Sequence, residues 1–483
     1  MKKNEILPLC TEKLGAELEG ICRADGLPVF VPGLLPGESA DVQILKTEKR
    51  FAFGKAVSIP FPTSPYRKNP ECSAYPQCGG CTGRHMRYEL TLEAKRQQVQ
   101  DCLQRIGNLS VDVPPVIGMD NPCEYRNKTS LPVGGSDESP FLGFYAPRSH
   151  RIIPIERCPN AMRPSDEISR AVVDWMRRFH LSPYQEETGR GLIRHLQIRI
   201  NQKHESMVTL VVNGSHVPGT NALAEALRPL GVVSLWINEN RRNTNVILGS
   251  AFHHIYGSKT LTDTLCGLRF DLSPASFFQV NPIQTEKLYA LARSFAQPKA
   301  TDTLCDVYCG AGTIGLSMAA HCKKIIGIEI VPAAVQNAKE NAIRNGIQNA
   351  EFLEGKAENL LPELIGKGLK PDVILVDPPR KGLESAVIQA IAQAGPDRLV
   401  YVSCNPATLA RDAGLLKEFG YMIQKIQPVD MFCWTSGIET VVCLSNKNAR
   451  TKDYVEIGLD VEDYYRIKDS ARADKCGGAE EDE

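Results

Sequence analysis

The sequence lacks several features that would place it in a specialised class of protein. None of its 483 residues belong to an apolar run of about 18 residues, which a transmembrane helix would need. It begins Met-Lys-Lys-Asn-Glu, without the apolar segment of a signal peptide. The formal net charge is zero, so the chain lacks the overall basic character of non-specific nucleic-acid binders. We therefore expect a cytoplasmic globular protein with two or three domains and no membrane partner.

The distribution of apolar residues and turn residues divides the chain into four predicted parts. Short β-type runs broken by glycine and proline predict an OB-like β-barrel over residues 1–60. Residues 61–285 contain a cysteine cluster, a predicted helix at 89–106 and a mixed α/β pattern. Residues 286–446 alternate strands with helices, which predicts a doubly wound Rossmann-like α/β sheet. Residues 447–483 form a tail whose acidic end we expect to be disordered.

A glycine-rich turn in the α/β part predicts a nucleotide site. Gly310, Gly312 and Gly315 follow an apolar strand and precede a helix, so the backbone there can approach a ligand closely. Glu329 ends the next strand, where its carboxylate can accept ribose hydroxyls. This pattern alone fits a dinucleotide-binding domain about as well as an S-adenosylmethionine site. Asp377-Pro378-Pro379-Arg380 at the end of a later strand favours S-adenosylmethionine, and the non-aromatic Arg380 disfavours amino-group methylation.

A cysteine at the end of the next strand is a candidate nucleophile. Cys404 stands where parallel strands of an open sheet line the active crevice, and a helix beginning near Thr408 is expected to lower its pKa. A thiolate that adds to carbon 6 of uracil makes carbon 5 nucleophilic, after which a base must remove the carbon-5 proton. Glu439 is the candidate base, although spacing alone favours an ordinary strand-end glutamate.

At this point the chain resembles the RNA (uracil-5-)-methyltransferase family from about residue 14 to residue 444. The resemblance depends on Asp377–Gly382 and on the longer motif Val402–Asp412. It implies that Cys404 is the nucleophile and Glu439 the base. It also implies that S-adenosylmethionine is the methyl donor and that the N-terminal barrel is an RNA-binding TRAM domain. The donor-site positions of the family match Gln279, Tyr308, Glu329 and Asp377, and the positions that contact the target nucleotide match Phe277 and Arg126.

A second group of cysteines predicts a metal site. Cys72, Cys78 and Cys81 are spaced as Cys-x5-Cys-x2-Cys, and Cys158 lies far downstream. Thiolates suit zinc or an iron–sulfur cluster, and His85 could complete a Cys3His zinc site. The family resemblance favours a [4Fe-4S] cluster held by the four cysteines, with zinc as the alternative.

The expected partner is RNA, without DNA, and we expect a monomer. Lys46, Lys49, Arg50 and Lys55 alternate with Phe51 and Phe53, a pattern that suits phosphates and bases, although a charged hairpin with two core aromatics explains it equally well. An unpaired uridine flipped out of any stack is the expected acceptor. The cysteine set favours 23S ribosomal RNA over transfer RNA. Three alternatives remain: another kind of methyltransferase, a non-catalytic RNA-binding assembly factor and a nucleotide-dependent oxidoreductase.

Overall fold

The computed structural model of the protein describes residues 1–446. The predicted acidic tail, 447–483, lies outside the described residues. Within the described part, no helix is both long and apolar enough to cross a membrane.

The chain begins with a closed five-stranded barrel, as the turn-rich sequence predicts. In β4, Ala40, Val42 and Ile44 point into the barrel, and the polar residues between them face outward. The strand order is β1-β2-β3-β5-β4. The strands are β1 Ile6–Leu14, β2 Gly20–Ala24, β3 Leu27–Val31, β4 Ser39–Thr47 and β5 Ala52–Ala56.

A mixed seven-stranded sheet follows, in the order β12-β11-β10-β9-β6-β7-β8. Its apolar face packs on two helices, α2 and α3, through residues such as Leu196, Ile198 and Leu210. A separate hairpin, β13-β14, follows the sheet. The elements are α1 Tyr88–Arg105, β6 Lys128–Gly135, β7 Pro140–Tyr145, β8 Ile152–Pro154, α2 Ser165–Arg178, β9 Ile193–Ile200, β10 Ser206–Val212, α3 Thr220–Leu227, β11 Val232–Glu239, β12 Ala251–Gly257, β13 Leu261–Leu265 and β14 Leu268–Leu272.

The last part is a doubly wound sheet in the order β17-β16-β15-β18-β19-β21-β20. Strands β15 to β19 are parallel, and β21 runs antiparallel to both of its neighbours. The elements are α4 Pro282–Ala296, β15 Thr303–Val307, α5 Thr313–Met318, β16 Lys324–Glu329, α6 Pro332–Arg344, β17 Ala350–Glu354, α7 Ala357–Gly366, β18 Val373–Val376, α8 Ser385–Ala394, β19 Arg398–Ser403, α9 Pro406–Glu418, β20 Tyr421–Val429 and β21 Glu439–Asn446.

The predicted fold class is confirmed: an OB-like barrel, a mixed α/β sheet and a doubly wound α/β sheet follow one another. The apolar pattern of the sequence predicts strands at 303–307, 324–329 and 373–376, and β15, β16 and β18 have these bounds. Not every strand is predicted, and among those missed are two that are largely exposed: β1, with alternating charged residues, and the edge strand β17. The domain boundaries at residues 60 and 285 stay predictions, because residues 1–446 lie within one compact unit.

Candidate active site

The glycine-rich turn after β15 forms an open loop beside Glu329. Gly310 and Gly312 have φ of 56° and 77°, a conformation that glycine adopts without strain. The Gly310 amide donates a hydrogen bond to Oε2 of Glu329 at 3.0 Å, and the Val331 amide donates to Oε1 at 2.8 Å. A Cβ atom at Gly310 would contact no atom within 4 Å, so a ligand can approach the loop on that side. This geometry fits a nucleoside whose ribose faces Glu329.

Asp306 supports the same loop through a hydrogen bond, a role that was not predicted from the sequence. Its Oδ2 accepts a hydrogen bond from the Gly315 amide at 2.9 Å, which fixes the start of α5. Burial, together with the nearby carboxylates of Asp377 and Glu329, raises the pKa of Asp306 to about 8, although the hydrogen bond from Gly315 opposes this rise. The available sequence signal was an aspartate near the end of the strand that precedes the glycine turn.

Tyr308 and Gln279 are the remaining predicted donor-site residues of this part of the chain. Tyr308 is half-buried and has a positive φ of 68°, which turns the chain sharply at the end of β15. Gln279 is half-buried in the segment before α4, and its carbonyl accepts from Asn127 at 3.1 Å. In the same segment Phe277 is 77% exposed. Thr313, whose role the sequence left open, shares a 2.7 Å hydrogen bond with Tyr289.

Cys404 and Glu439 meet at the ends of adjacent strands. Ser403 of β19 pairs with Thr440 of β21, and the antiparallel register therefore places Cys404 opposite Glu439 one step further along. The Glu439 and Asp377 carboxylates oppose ionisation of the Cys404 thiol, whereas the Arg380 guanidinium favours it. The four groups thus lie close enough to influence one another's charge.

The Cys404 thiol differs in acidity from the sequence-based expectation. Burial, with contributions from Glu439 and Asp377, raises the pKa of Cys404 above its ordinary value, so the predicted lowering by a helix is wrong. The helix begins at Pro406, and the Asn405 side chain already accepts from its Ala407 amide at 3.0 Å. The Asn405 cap therefore occupies the Ala407 amide of the first turn, and desolvation has the largest effect on the pKa of the Cys404 thiol.

The two carboxyl groups of the site are also strong proton acceptors. Glu439 is only 4% exposed, and burial raises its pKa well above the ordinary value, with a further increase from Asp377 and a decrease from Arg380. No described side chain donates a hydrogen bond to the Glu439 carboxyl group. Burial raises the pKa of Asp377 to about 7, although its side chain keeps partial access to solvent. A glutamate in this environment holds a proton more strongly than an exposed strand-end glutamate does.

The four predicted metal cysteines are near one another. The pKa of the Cys78 thiol rises to about 11 through burial, with contributions from Cys81, Cys158 and Cys72. Over residues 1–446, however, no group of three or more Cys, His, Asp or Glu side chains stands in a metal-ligand arrangement. His85 instead shares a 2.5 Å hydrogen bond with Tyr75. The structure therefore supports the proximity of the thiols, while the iron–sulfur cluster and its zinc alternative stay predictions.

The basic and aromatic residues of the barrel form a surface patch rather than part of its core. Phe51 and Phe53 are half-buried, and their ring centroids lie 5.4 Å apart, with Phe30 at 5.8 Å from Phe51. The Arg148 guanidinium lies 6.0 Å from the Phe53 ring. None of these rings belongs to the apolar core of the barrel, so the alternative of two core aromatics is wrong.

Comparison with known proteins decides the family. A profile of the tRNA (uracil-5-)-methyltransferase family matches residues 251–447, and a profile of the TRAM domain matches residues 3–57. An RNA methyltransferase of Clostridium tetani is 42% identical over 450 residues, covering 92% of this chain and 97% of the relative. The chain belongs to this RNA methyltransferase family. Another member, from Halalkalibacterium halodurans, is 41% identical over 93% of this chain and 98% of its own length.

A solved structure shares the fold over almost the whole chain. The tRNA (uracil-54, C5)-methyltransferase of Pyrococcus abyssi, crystallised with S-adenosyl-L-homocysteine, has a TM-score of 0.72 and 25% sequence identity. The match covers 90% of this RNA methyltransferase and 99% of the archaeal chain. The family resemblance and the enzyme class that the sequence indicates are thereby confirmed. The roles of individual site residues stay predictions.

Proposed function

We propose that this enzyme transfers a methyl group from S-adenosylmethionine to carbon 5 of a uridine in RNA, with Cys404 as nucleophile and Glu439 as base. The observation that supports this most strongly is the placement of a partly exposed thiol opposite a buried, proton-accepting carboxyl group. Methylation of an amino group needs no thiol, whereas methylation of uracil carbon 5 needs both groups. A non-catalytic assembly factor would need neither.

The residues around the glycine loop would hold the donor. Glu329, fixed by two backbone amides, would accept the ribose hydroxyls, and Tyr308, Gln279 and Asp377 would line the rest of the site. S-adenosylmethionine, when bound, supplies the methyl group of a sulfonium. Every later step depends on side chains of the enzyme and on the uridine.

The chemistry proceeds through a covalent adduct. The Cys404 thiolate forms a bond to carbon 6 of the uracil, and the electron pair of the ring double bond makes carbon 5 nucleophilic. Carbon 5 takes the methyl group and still holds its hydrogen. Glu439 then removes that proton, the carbon–carbon double bond re-forms and the carbon–sulfur bond breaks, which restores the thiolate. Its raised pKa makes Glu439 a stronger base than an exposed glutamate.

The acceptor is proposed to be an unpaired uridine of 23S ribosomal RNA. Phe277, which is exposed, and Arg126 would contact the flipped nucleotide, and the Phe51–Phe53 patch would bind flanking RNA. Transfer RNA is the second candidate, because the P. abyssi structure is that of a transfer-RNA methyltransferase.

Mass mapping of ribosomal and transfer RNA from cells lacking the enzyme tests the proposal. We expect one or more 5-methyluridines to disappear and to return when the parent enzyme is supplied. Cys404→Ala and Cys404→Ser should fail to restore them, whereas Cys10→Ser, at an exposed cysteine of the barrel, should restore them fully. Restoration by Cys404→Ser would contradict the covalent mechanism. A loss confined to transfer RNA would select the second acceptor.

For the four cysteines, we retain the family expectation of a [4Fe-4S] cluster as a proposal. Its support is the chemistry of the donors, four thiols within reach of one another's charge. Iron and acid-labile sulfide in anaerobically purified protein test it directly. About four iron atoms per chain would support the cluster, and bound zinc or no metal would contradict it.

A further inference from the structure

The connection between β20 and β21 ends at the proposed base. Val429 pairs with Glu439, so residues 430–438 form a nine-residue hairpin connection rather than a tight turn. A connection of this length does not fix its own conformation as a two-residue turn does. Hydrogen bonds from Thr435 to the Phe432 carbonyl stabilise one turn of the connection, and contacts with other parts of the chain stabilise the rest.

Most of those contacts come from residues more than 300 positions earlier, and the Asn281 and Gln284 side chains add hydrogen bonds to the first two residues of the connection. The Tyr125 hydroxyl donates to the Cys433 carbonyl at 3.0 Å, and the Lys95 ammonium donates to the Phe432 carbonyl at 3.1 Å. Asp430, at the beginning of the connection, accepts from Lys95 at 2.6 Å. The base is thus connected to elements of the central part of the protein.

Trp434 is the centre of this connection. Its carbonyl accepts hydrogen bonds from the Thr82 and Gly83 amides, both at 2.9 Å, and its indole donates to the Pro122 carbonyl at 2.8 Å. The Lys68 ammonium lies 4.3 Å from the centroid of its ring. Thr82 and Gly83 directly follow Cys81, which itself packs against the Trp434 cluster. The stretch from Cys72 to Arg84, here called the cysteine segment, therefore holds Trp434.

The backbone of Trp434 needs this external support. Its φ is 66°, a left-handed conformation that a bulky side chain rarely adopts and that persists where surrounding contacts enforce it. The two amides of the cysteine segment bind the carbonyl of this same residue, and the ring is only 3% exposed. Loss of these contacts would release the strained turn five residues before Glu439.

We propose that Trp434 is a positioning residue through which the cysteine segment sets the place of Glu439. The proposal rests on the proposed function, because it assumes that Glu439 removes the carbon-5 proton. A displaced base slows only the last step, the elimination of Cys404 from the methylated uridine. The covalent protein–RNA adduct should then accumulate, whereas its formation should continue.

The test compares two RNA preparations from cells that lack the enzyme. With ordinary total RNA, the adduct is released only when the base removes the carbon-5 proton. With RNA from cells fed 5-fluorouracil, the adduct persists in every case, because carbon 5 holds fluorine, which cannot leave as a proton. Each variant is incubated with S-adenosylmethionine, and the covalent complex is measured on a denaturing gel. Use of total RNA includes the acceptor whichever RNA contains it.

The variants are chosen so that loss of stability alone gives a different result. Trp434→Leu should raise the adduct on ordinary RNA about fivefold or more, since misplacement of a catalytic group by about 1 Å lowers rates strongly. Trp434→Phe should show a smaller rise, and trapping on fluorinated RNA should stay within about twofold of the parent. Trp175→Leu is the control: Trp175 is 4% exposed and donates to the Gly219 carbonyl at 2.9 Å, far from the base in the sequence.

The outcomes separate this inference from the proposed function. No rise for Trp434→Leu, or an equal rise for Trp175→Leu, would overturn the positioning role. Equal loss of trapping on both RNAs in Trp434→Leu would also overturn it, because the variant would then lack the nucleophilic step. The proposed function would fail instead if the parent enzyme trapped no fluorinated RNA, or if Glu439→Gln left the adduct on ordinary RNA unchanged.

Discussion

Lys95→Met should destabilise the protein severely, because it leaves a buried carboxylate without its cation. Lys95 of α1 and Asp430 are both 0% exposed, and their charged atoms are 2.6 Å apart. The Tyr88 hydroxyl, also at 2.6 Å from Asp430, would be the remaining side-chain donor. Removal of one partner of a buried pair typically costs about 3–5 kcal/mol of unfolding free energy. Solvent screening does not reduce this value, since neither side chain reaches water.

The assay is a double-mutant cycle in urea, with the free energy of unfolding measured for Lys95→Met, Asp430→Asn and the double variant. We expect the double variant to be more stable than the sum of the single losses predicts, by about 2 kcal/mol or more. Lys367→Met provides the control, because Lys367 and Glu363 are 2.5 Å apart but both largely exposed. It should change stability by less than about 0.5 kcal/mol. Additive losses, or a Lys95→Met effect as small as the control, would refute the reasoning.

Three further predictions concern the site itself. The rate at which iodoacetamide alkylates Cys404, measured by peptide mass mapping, should rise about tenfold per pH unit between pH 6 and 8. The reason is that the raised pKa of Cys404 keeps the thiol protonated in this range. A rate independent of pH would contradict this. Gly312→Ala should lower thermal stability more than Gly346→Ala, since both have positive φ but only the first Cβ would meet a ring, that of Phe352, at 2.9 Å. Glu329→Gln should weaken S-adenosyl-L-homocysteine binding about tenfold or more in calorimetry, and an unchanged affinity would exclude the ribose contact.

The candidate site residues at strand ends could be predicted because apolar strands followed by glycine turns have a distinctive sequence pattern. Gly310, Glu329 and Asp377 each follow or end a buried strand, and parallel strands bring such ends to one edge. The long motif around Cys404 then indicated the family. The proposed role of Glu439 as the base came only from the resemblance, because spacing says nothing about which strand lies beside β19. The antiparallel insertion of β21 between β19 and β20 supplies that information.

The sequence could not predict properties that depend on desolvation. The helix after Cys404 is where the sequence predicts it, yet the thiol pKa is raised, since burial outweighs a capped helix terminus. The contacts of Trp434 were equally hidden, because Thr82 and Gly83 lie about 350 positions away in the chain. Contacts between residues so far apart in the chain do not affect the local periodicity of the sequence.

The raised pKa values of Cys404 and Glu439 also mean that both groups must lose a proton in the proposed reaction. Before RNA binds, burial favours the protonated forms of both Cys404 and Glu439, and Arg380 is the cation that favours their ionised forms. Attack on carbon 6 requires Cys404 to lose its proton first. In the adduct the sulfur carries no charge, as in the resting thiol, so formation of the adduct does not by itself favour ionisation of Glu439. Glu439 must therefore also lose its proton before the elimination, and a proton left on Glu439 would arrest the reaction at the adduct.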